Sequence, residues 1–200
     1  MKGSITIVSF FILGAVLGYF GLIPITLVES KASFYVLSTL MFFVGLSIGS
    51  DSKTLKSFKK LNPKYYLLPL ATIIGTLGGC AIISIVIPGR SLTDIMAVGS
   101  GFGYYSLSSI FITEYKGAEL GTIALLSNIL RELIALLFAP FLVKYFGKLA
   151  TISVGGATTM DTTLPVILKF SGKEFIVVSV FHGFILDLSV PFLVTFFCSF

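Results

Sequence analysis

Five ionisable side chains lie where a lipid bilayer would exclude them. The apolar stretch 120–143 carries Arg131 and Glu132 at its midpoint, 149–168 holds Asp161 near its centre, and 175–200 holds His182 and Asp187. A charge at the centre of a membrane-spanning helix costs about 2.5–3.5 kcal/mol on insertion scales. Side chains kept at that cost face a water-filled cavity, pair with one another, or carry protons and ions. The chemistry on offer is therefore cation binding and proton exchange.

Glu132 leads these candidates. On a helix Asn128 and Glu132 are four residues apart and share a face, with Arg131 beside it. A carboxylate so placed lines a cavity and holds a cationic substrate or a proton. The plainer reading is an ion pair with Arg131, or a hydrogen bond to Asn128, that only joins helices. Arg131 itself reads best as a structural counter-ion holding a carboxylate in place. Asp161 stands among Thr158, Thr159, Thr162 and Thr163, directly before Leu164 and Pro165. Unwound backbone there would set carbonyl and hydroxyl oxygens beside a carboxylate, a good seat for a cation or an ammonium group. Capping the start of a half-helix is the competing role, and the two are compatible.

The run GSGFGYYSLSS from Gly99 to Ser109 has the glycines of a phosphate loop but neither its lysine nor its strand–helix context. Gly101 and Gly103 suit close backbone packing, and an unwound segment would place Tyr105, Ser106 and Ser108 along a pathway. Gly155, Gly156 and Thr159 would line its counterpart. His182, the single histidine, reads either as a proton relay or, more simply, as a hydrogen-bonded packing residue. Asp187 reads as a second proton site or as a partner for Arg131, and both stay open. No Ser–His–Asp order, HExxH pattern or Cys/His cluster is present, so neither enzymatic chemistry, a metal nor an organic cofactor is expected. Cys80 and Cys198 lie far apart in apolar runs and suggest no disulfide framework.

The elements that must position these groups are membrane helices. The 200 residues are 56% hydrophobic and 12% charged, against about a quarter charged in a soluble domain. Disorder and an ordinary cytosolic enzyme are excluded. The apolar runs are continuous rather than alternating, which selects helices over a β-barrel. Spans are expected over 5–28 (kinked near Pro24), 32–50, 65–89, 119–143 and 174–198, with a basic loop over 51–64. The Gly- and hydroxyl-rich segments 94–113 and 150–168, the second stopped by Pro165, are expected to be re-entrant from opposite sides. Irregular backbone at membrane depth persists only where protein or water satisfies it.

The expected fold is thus an all-α transporter domain over 1–200: three helices in 1–93, then two units, 94–143 and 150–198, of broken segment plus helix. With Lys53, Lys56, Lys59, Lys60 and Lys64 in one loop, this topology puts ten basic residues inside against three outside. The positive-inside rule then sets the N-terminus inside and the C-terminus outside. The net charge of +5 reads as orientation, not nucleic-acid binding. A slide of 55 residues aligns Gly101 with Gly156, Gly117 with Gly172, Glu119 with Glu174 and Glu132 with Asp187. Opposed copies of one unit are an inverted repeat, the build of many secondary transporters.

The motifs GFGYYSLSSIFITE, NILRELIALL, GGATTMDTTLPVI and HGFILDLSVPFLVTFF resemble, in order and spacing, the LysO-type lysine exporters of prokaryotes. The resemblance implies export of L-lysine, with lysine analogues, across the cytoplasmic membrane. It also implies two essential intramembrane acids, which match Glu132 and Asp161. Full-length relatives are longer at the N-terminus, so a homodimer or a separate small membrane subunit is expected to supply helices beside the lipid. Proton antiport through the carboxylates is the expected coupling, with sodium open as the ion. Two other readings stand beside it: an ion-coupled carrier of another small metabolite, and a non-transporting membrane subunit.

Overall fold

The computed structural model describes residues 52–200 and, before them, residues 13, 16–22, 35, 39, 42, 43, 46 and 50. Residues 1–44 and 45–200 form two compact units. In the first, residues 16–19 are helical and the helix ends in a turn at Phe20 and Gly21. The span read over 5–28 therefore breaks at Gly21. Pro24, and most of the span over 32–50, lie outside the described residues.

The basic loop read over 51–64 instead contains a helix, α1 (Ser52–Lys59). Its Phe58 is buried against the rings of Phe181 and Phe184, while Lys56, Lys59 and Lys60 are exposed. Helix α2 (Pro63–Ser84) starts where the Asn62 side chain accepts the Lys64 N–H and Pro63 presets the first turn. It ends before residue 89, at Ile85, and the chain turns through Gly89. Three stretches are long and apolar enough to span a membrane: α2, α5 (Ala118–Leu137) and Lys173–Cys198, the last containing the helix Ile176–Cys198. Twenty to twenty-six residues reach about 30–39 Å, enough for the hydrocarbon core. The protein is an all-α, multi-pass membrane protein, with no strand among the described residues.

Between α2 and α5 lies a helical hairpin. Helix α3 (Leu92–Gly99), capped by the Ser91 hydroxyl, is followed by a turn and by α4 (Tyr105–Lys116). Lys116 Nζ lies 3.3 Å from Asp94 Oδ1, so the last turn of α4 returns to the first turn of α3. Arg90 pairs with Glu119 at the same mouth. After α5 come α6 (Ala139–Phe146) and a second hairpin. Its limbs are α7 (Ala150–Gly155), continued by a 3-10 turn over Gly156–Met160, and α8 (Leu164–Phe170). Thr151 Oγ1 sits 2.7 Å from Ser171 Oγ, and Lys148 Nζ donates to Glu174 Oε1 at 3.0 Å, which closes this mouth in the same manner.

Two expectations are corrected here. The helix read over 119–143 breaks at Phe138 (φ −100°, ψ 8°), because Pro140 in the first turn of α6 lacks the N–H that would continue the ladder. Pro165 does not stop a helix; it sits in the first turn of α8 and starts one.

Helix α5 leaves the first mouth and α6 delivers the chain to the second, so the mouths lie at opposite ends of this unit. The last helix, α9 (Ile176–Cys198), runs back the other way. Its Cys198 reaches the charges of Lys116 and Asp94 at the first mouth. At the second mouth Ile152, Ile167, Phe175 and Val178 form an apolar cluster with Leu61 and Tyr65. Gly117 and Gly172, 55 residues apart, have matching backbones (φ +91° and +117°, ψ 167° and 152°) just before α5 and just before the run into α9.

Candidate functional site

The two hairpins meet tip to tip. Ala157 N–H donates to Phe102 O at 2.9 Å, which joins the break of one to the break of the other. Gly156 makes the approach possible: it holds φ +67°, and a Cβ there would sit inside the Phe102 carbonyl. Phe102 has φ +46° and is fully buried. A bulky side chain in that region carries about 1–3 kcal/mol of strain, retained only where its surroundings hold it.

Helix α5 holds both tips with two polar side chains three residues apart. Asn128 Oδ1 accepts the Gly103 N–H at 2.8 Å, and its Nδ2 donates to Val98 O at 3.1 Å and Ala124 O at 2.9 Å. Its amide is therefore used within the first hairpin. Arg131 Nε donates to Val154 O at 2.9 Å, Nη2 to Ser153 O at 3.0 Å and Nη1 to Thr76 Oγ1 at 3.2 Å. The expected carboxylate partner is absent among the described residues. The cation instead satisfies carbonyls at the C-terminal end of α7, which lack helical partners and carry the negative end of the helix dipole. Arg131 also stands over the Phe102 ring, 5.8 Å from its centre. It lines two cavities, one of about 500 Å³ with Cys80, Val98 and Asn128, the other of about 410 Å³ with Thr76 and Val154.

His182 is fully buried and hydrogen-bonded at both ring nitrogens, Nε2 to Thr72 Oγ1 at 3.0 Å and Nδ1 to Thr159 Oγ1 at 3.3 Å. It thereby ties α2, α9 and the second tip together. Thr159 also donates to Gly156 O and Ser179 O. Thr158 bonds Gly155 O and Thr163 Oγ1. The hydroxyls expected around a cation are thus mostly turned into the backbone of their own turn. Only Asp161 and Thr162 of that run are exposed. Asp161 lies off the helix (φ −139°, ψ −87°), one oxygen accepting the Thr162 N–H at 2.6 Å.

In the first hairpin Ser108 is buried and donates to Tyr104 O at 2.8 Å, Tyr105 is half-buried, and Ser106 is exposed. A Cβ on Gly101 would meet Asn128 and Ser108; one on Gly103 would crowd Gly155 O, and one on Gly155 would crowd Thr159. Glu132 is half-buried beside the clamped face, with no hydrogen-bond or ion-pair partner among the described residues. Asp187 is 3% exposed, and its charge acts on Asp161 and on the Tyr104 hydroxyl. The structure therefore brings Asp161, Asp187 and Tyr104 within electrostatic reach of one another, and Glu132 makes no hydrogen bond or ion pair with them. Sequence reasoning passed over Thr72, Thr76, Phe102 and Tyr104. The first two are ordinary threonines in an apolar helix, and nothing in their spacing marks them.

Paired broken helices that meet inside a multi-pass helical protein are the build of many secondary transporters. The chain belongs to the Lysine exporter LysO family, whose sequence profile matches residues 8–198. It is similar to the lysine exporter LysO of Escherichia coli strain K12, 35% identical over 170 residues that make up 85% of this chain and 56% of that protein. It is also similar to a putative lysine exporter of Haemophilus influenzae, 34% identical over 169 residues, 84% of this chain and 85% of that protein. The chain thus spans little more than half the length of the Escherichia coli relative. No solved structure matches it.

Proposed function

We propose that this protein exports L-lysine, and analogues that keep its ammonium group, across the cytoplasmic membrane by proton antiport. The observation that carries the reading is Asp161: a carboxylate at the break of a helical hairpin, open to solvent, in a protein whose named relatives are lysine exporters. Broken helices at the membrane midplane are where transporters place substrate sites. Deprotonated Asp161 and Glu132 attract the ammonium group arriving from the cytoplasm. Protonation from the outside neutralises them and releases it.

The distribution of charge supports the orientation. The mouth of the second hairpin gathers Lys64, Lys148, Lys169 and Lys173, whereas Arg90 and Lys116 at the first mouth are balanced by Glu119 and Asp94. The second mouth is then cytoplasmic and the first hairpin enters from outside. An anion carrier is disfavoured because the Arg131 guanidinium is committed to Val154, Ser153 and Thr76.

The test is accumulation of radiolabelled lysine in inside-out vesicles, with proton or sodium gradients imposed in separate arms. The chain is assayed alone and with any co-encoded small membrane protein, which reads out a required subunit. Asp161→Asn and Glu132→Gln are each expected to cut gradient-driven accumulation at least tenfold with the protein still in the membrane. Undiminished export by both variants would sink the reading.

A further inference from the structure

We propose that Asp187 is a third carboxylate of the pathway, forming with Asp161 and the Tyr104 hydroxyl a seat for the side-chain ammonium of a cationic amino acid. This rests on the transport reading above and gives it a specific place: the crossing of the two hairpins.

The argument begins with Gly183. A Cβ at that position would lie 2.7 Å from Met160 N and 2.9 Å from Ala157 O, so α9 touches the backbone of the second tip there. Asp187 is four residues on and shares that face, about 6 Å further along the axis, where the chain leaves Met160 for Asp161. Its side chain is 3% exposed and has no hydrogen-bond or ion-pair partner among the described residues. The charges of Asp161 and Asp187 act on one another, and both act on Tyr104 at the first tip. Three oxygens carried by three elements thus lie within electrostatic reach of one another.

A buried carboxylate without a partner is strongly disfavoured as an anion, and a second carboxylate nearby adds repulsion. One cation placed between them relieves both. Among the described residues no Lys or Arg pairs with Asp161 or Asp187: Arg131 is engaged on carbonyls, Lys116 with Asp94 and Lys148 with Glu174. His182, nearest on α9, has both ring nitrogens hydrogen-bonded to threonines. The cation must therefore arrive as cargo. Three acceptors suit the three N–H donors of an ammonium group, whereas divalent metal cations take about six or more oxygens.

Lysine binding to the full chain in detergent is measured by calorimetry, with norleucine (the same carbon chain without the side-chain ammonium) and sodium chloride as controls. Asp187→Asn is expected to weaken lysine binding at least tenfold and Tyr104→Phe severalfold. A second measurement needs no variant: labelling of Asp187 by dicyclohexylcarbodiimide, read by mass spectrometry, falls severalfold with lysine and not with norleucine. Equal lysine affinity in Asp187→Asn, labelling indifferent to lysine, or labelling suppressed by sodium alone each overturns the seat and leaves the export reading standing. Absence of any lysine binding by the unaltered chain overturns the export reading itself.

Discussion

The two hairpins are alike in path and unlike in what fills their breaks. At the first tip residues 101–103 are all buried, Asn128 ties Gly103 to Val98, and no acid is present. At the second tip Arg131 closes the carbonyls of α7, the threonines are spent on their own turn, and the chain opens to solvent at Asp161 and Thr162. The first break is packed shut apart from the Tyr104 side chain, and the second carries the exposed acid. A single helix, α5, supplies both clamps. The same backbone device has become structural in one copy and chemical in the other.

The harshest way to break that comparison is to part the tips. Gly156→Ala places a methyl group in the Phe102 carbonyl and puts a side chain at φ +67°. Backbone strain and overpacking together are worth about 3 kcal/mol or more. The expected outcome is loss of lysine transport with a melting temperature lowered by roughly 6–12 °C, at about 2–4 °C per kcal/mol for a chain of this size. A variant that melts and transports normally would show that the tip contact is dispensable.

Removing one clamp at a time sharpens the comparison. Arg131→Met leaves two half-buried carbonyls, Val154 and Ser153, without their donor, at up to about 1–3 kcal/mol each. Asn128→Leu removes the acceptor for the buried Gly103 N–H and the donors to Val98 and Ala124 without adding a charge, so it takes away the clamp on the first tip. If α5 couples the tips, hydrogen exchange rises at both tips in either single variant. Exchange confined to the hairpin that lost its clamp would make the two halves independent.

Much of this arrangement was legible in the residues. Length and hydropathy marked the helices, glycine-rich breaks marked both hairpins, and the cost of burying charge drew attention to Asp187, which is buried, and to Asp161, which is exposed. Partnership was not legible. Spacing put Arg131 beside Glu132, but the guanidinium reaches past it to the end of α7, because an uncapped helix C-terminus offers two carbonyls at once. The threonines near Asp161 looked like ligands, but a tight turn consumed their hydroxyls. Pro140 and Pro165 were visible, yet whether a proline ends a helix or starts the next depends on where the chain turns, which tertiary contacts decide.

The smallest effect lies at the mouths, where Asp94 pairs with Lys116 beside the Arg90–Glu119 pair at the first and Glu174 pairs with Lys148 at the second. Asp94 and Lys116 are mostly covered, with side chains 18% and 24% exposed, whereas Glu174 and Lys148 are 62% and 55% exposed. Burial pushes the Asp94 carboxyl up, but the Ser91 hydroxyl and N–H and the Lys116 ammonium outweigh it, and the group ends below its ordinary 3.8. A carboxyl depressed in the folded state contributes stability that is complete above its unfolded value and is lost as pH falls through the folded one. The contribution is therefore present at pH 7 and disappears only below about pH 4. After discounting for solvent, it is about 0.5–1 kcal/mol. Asp94→Asn is expected to lower the melting temperature by a few degrees at pH 7 and by nothing at pH 3, and Glu174→Gln to leave it unchanged at either. Equal shifts in the two variants would mean that burial does not distinguish the mouths, and that the asymmetry between the hairpins is confined to their tips.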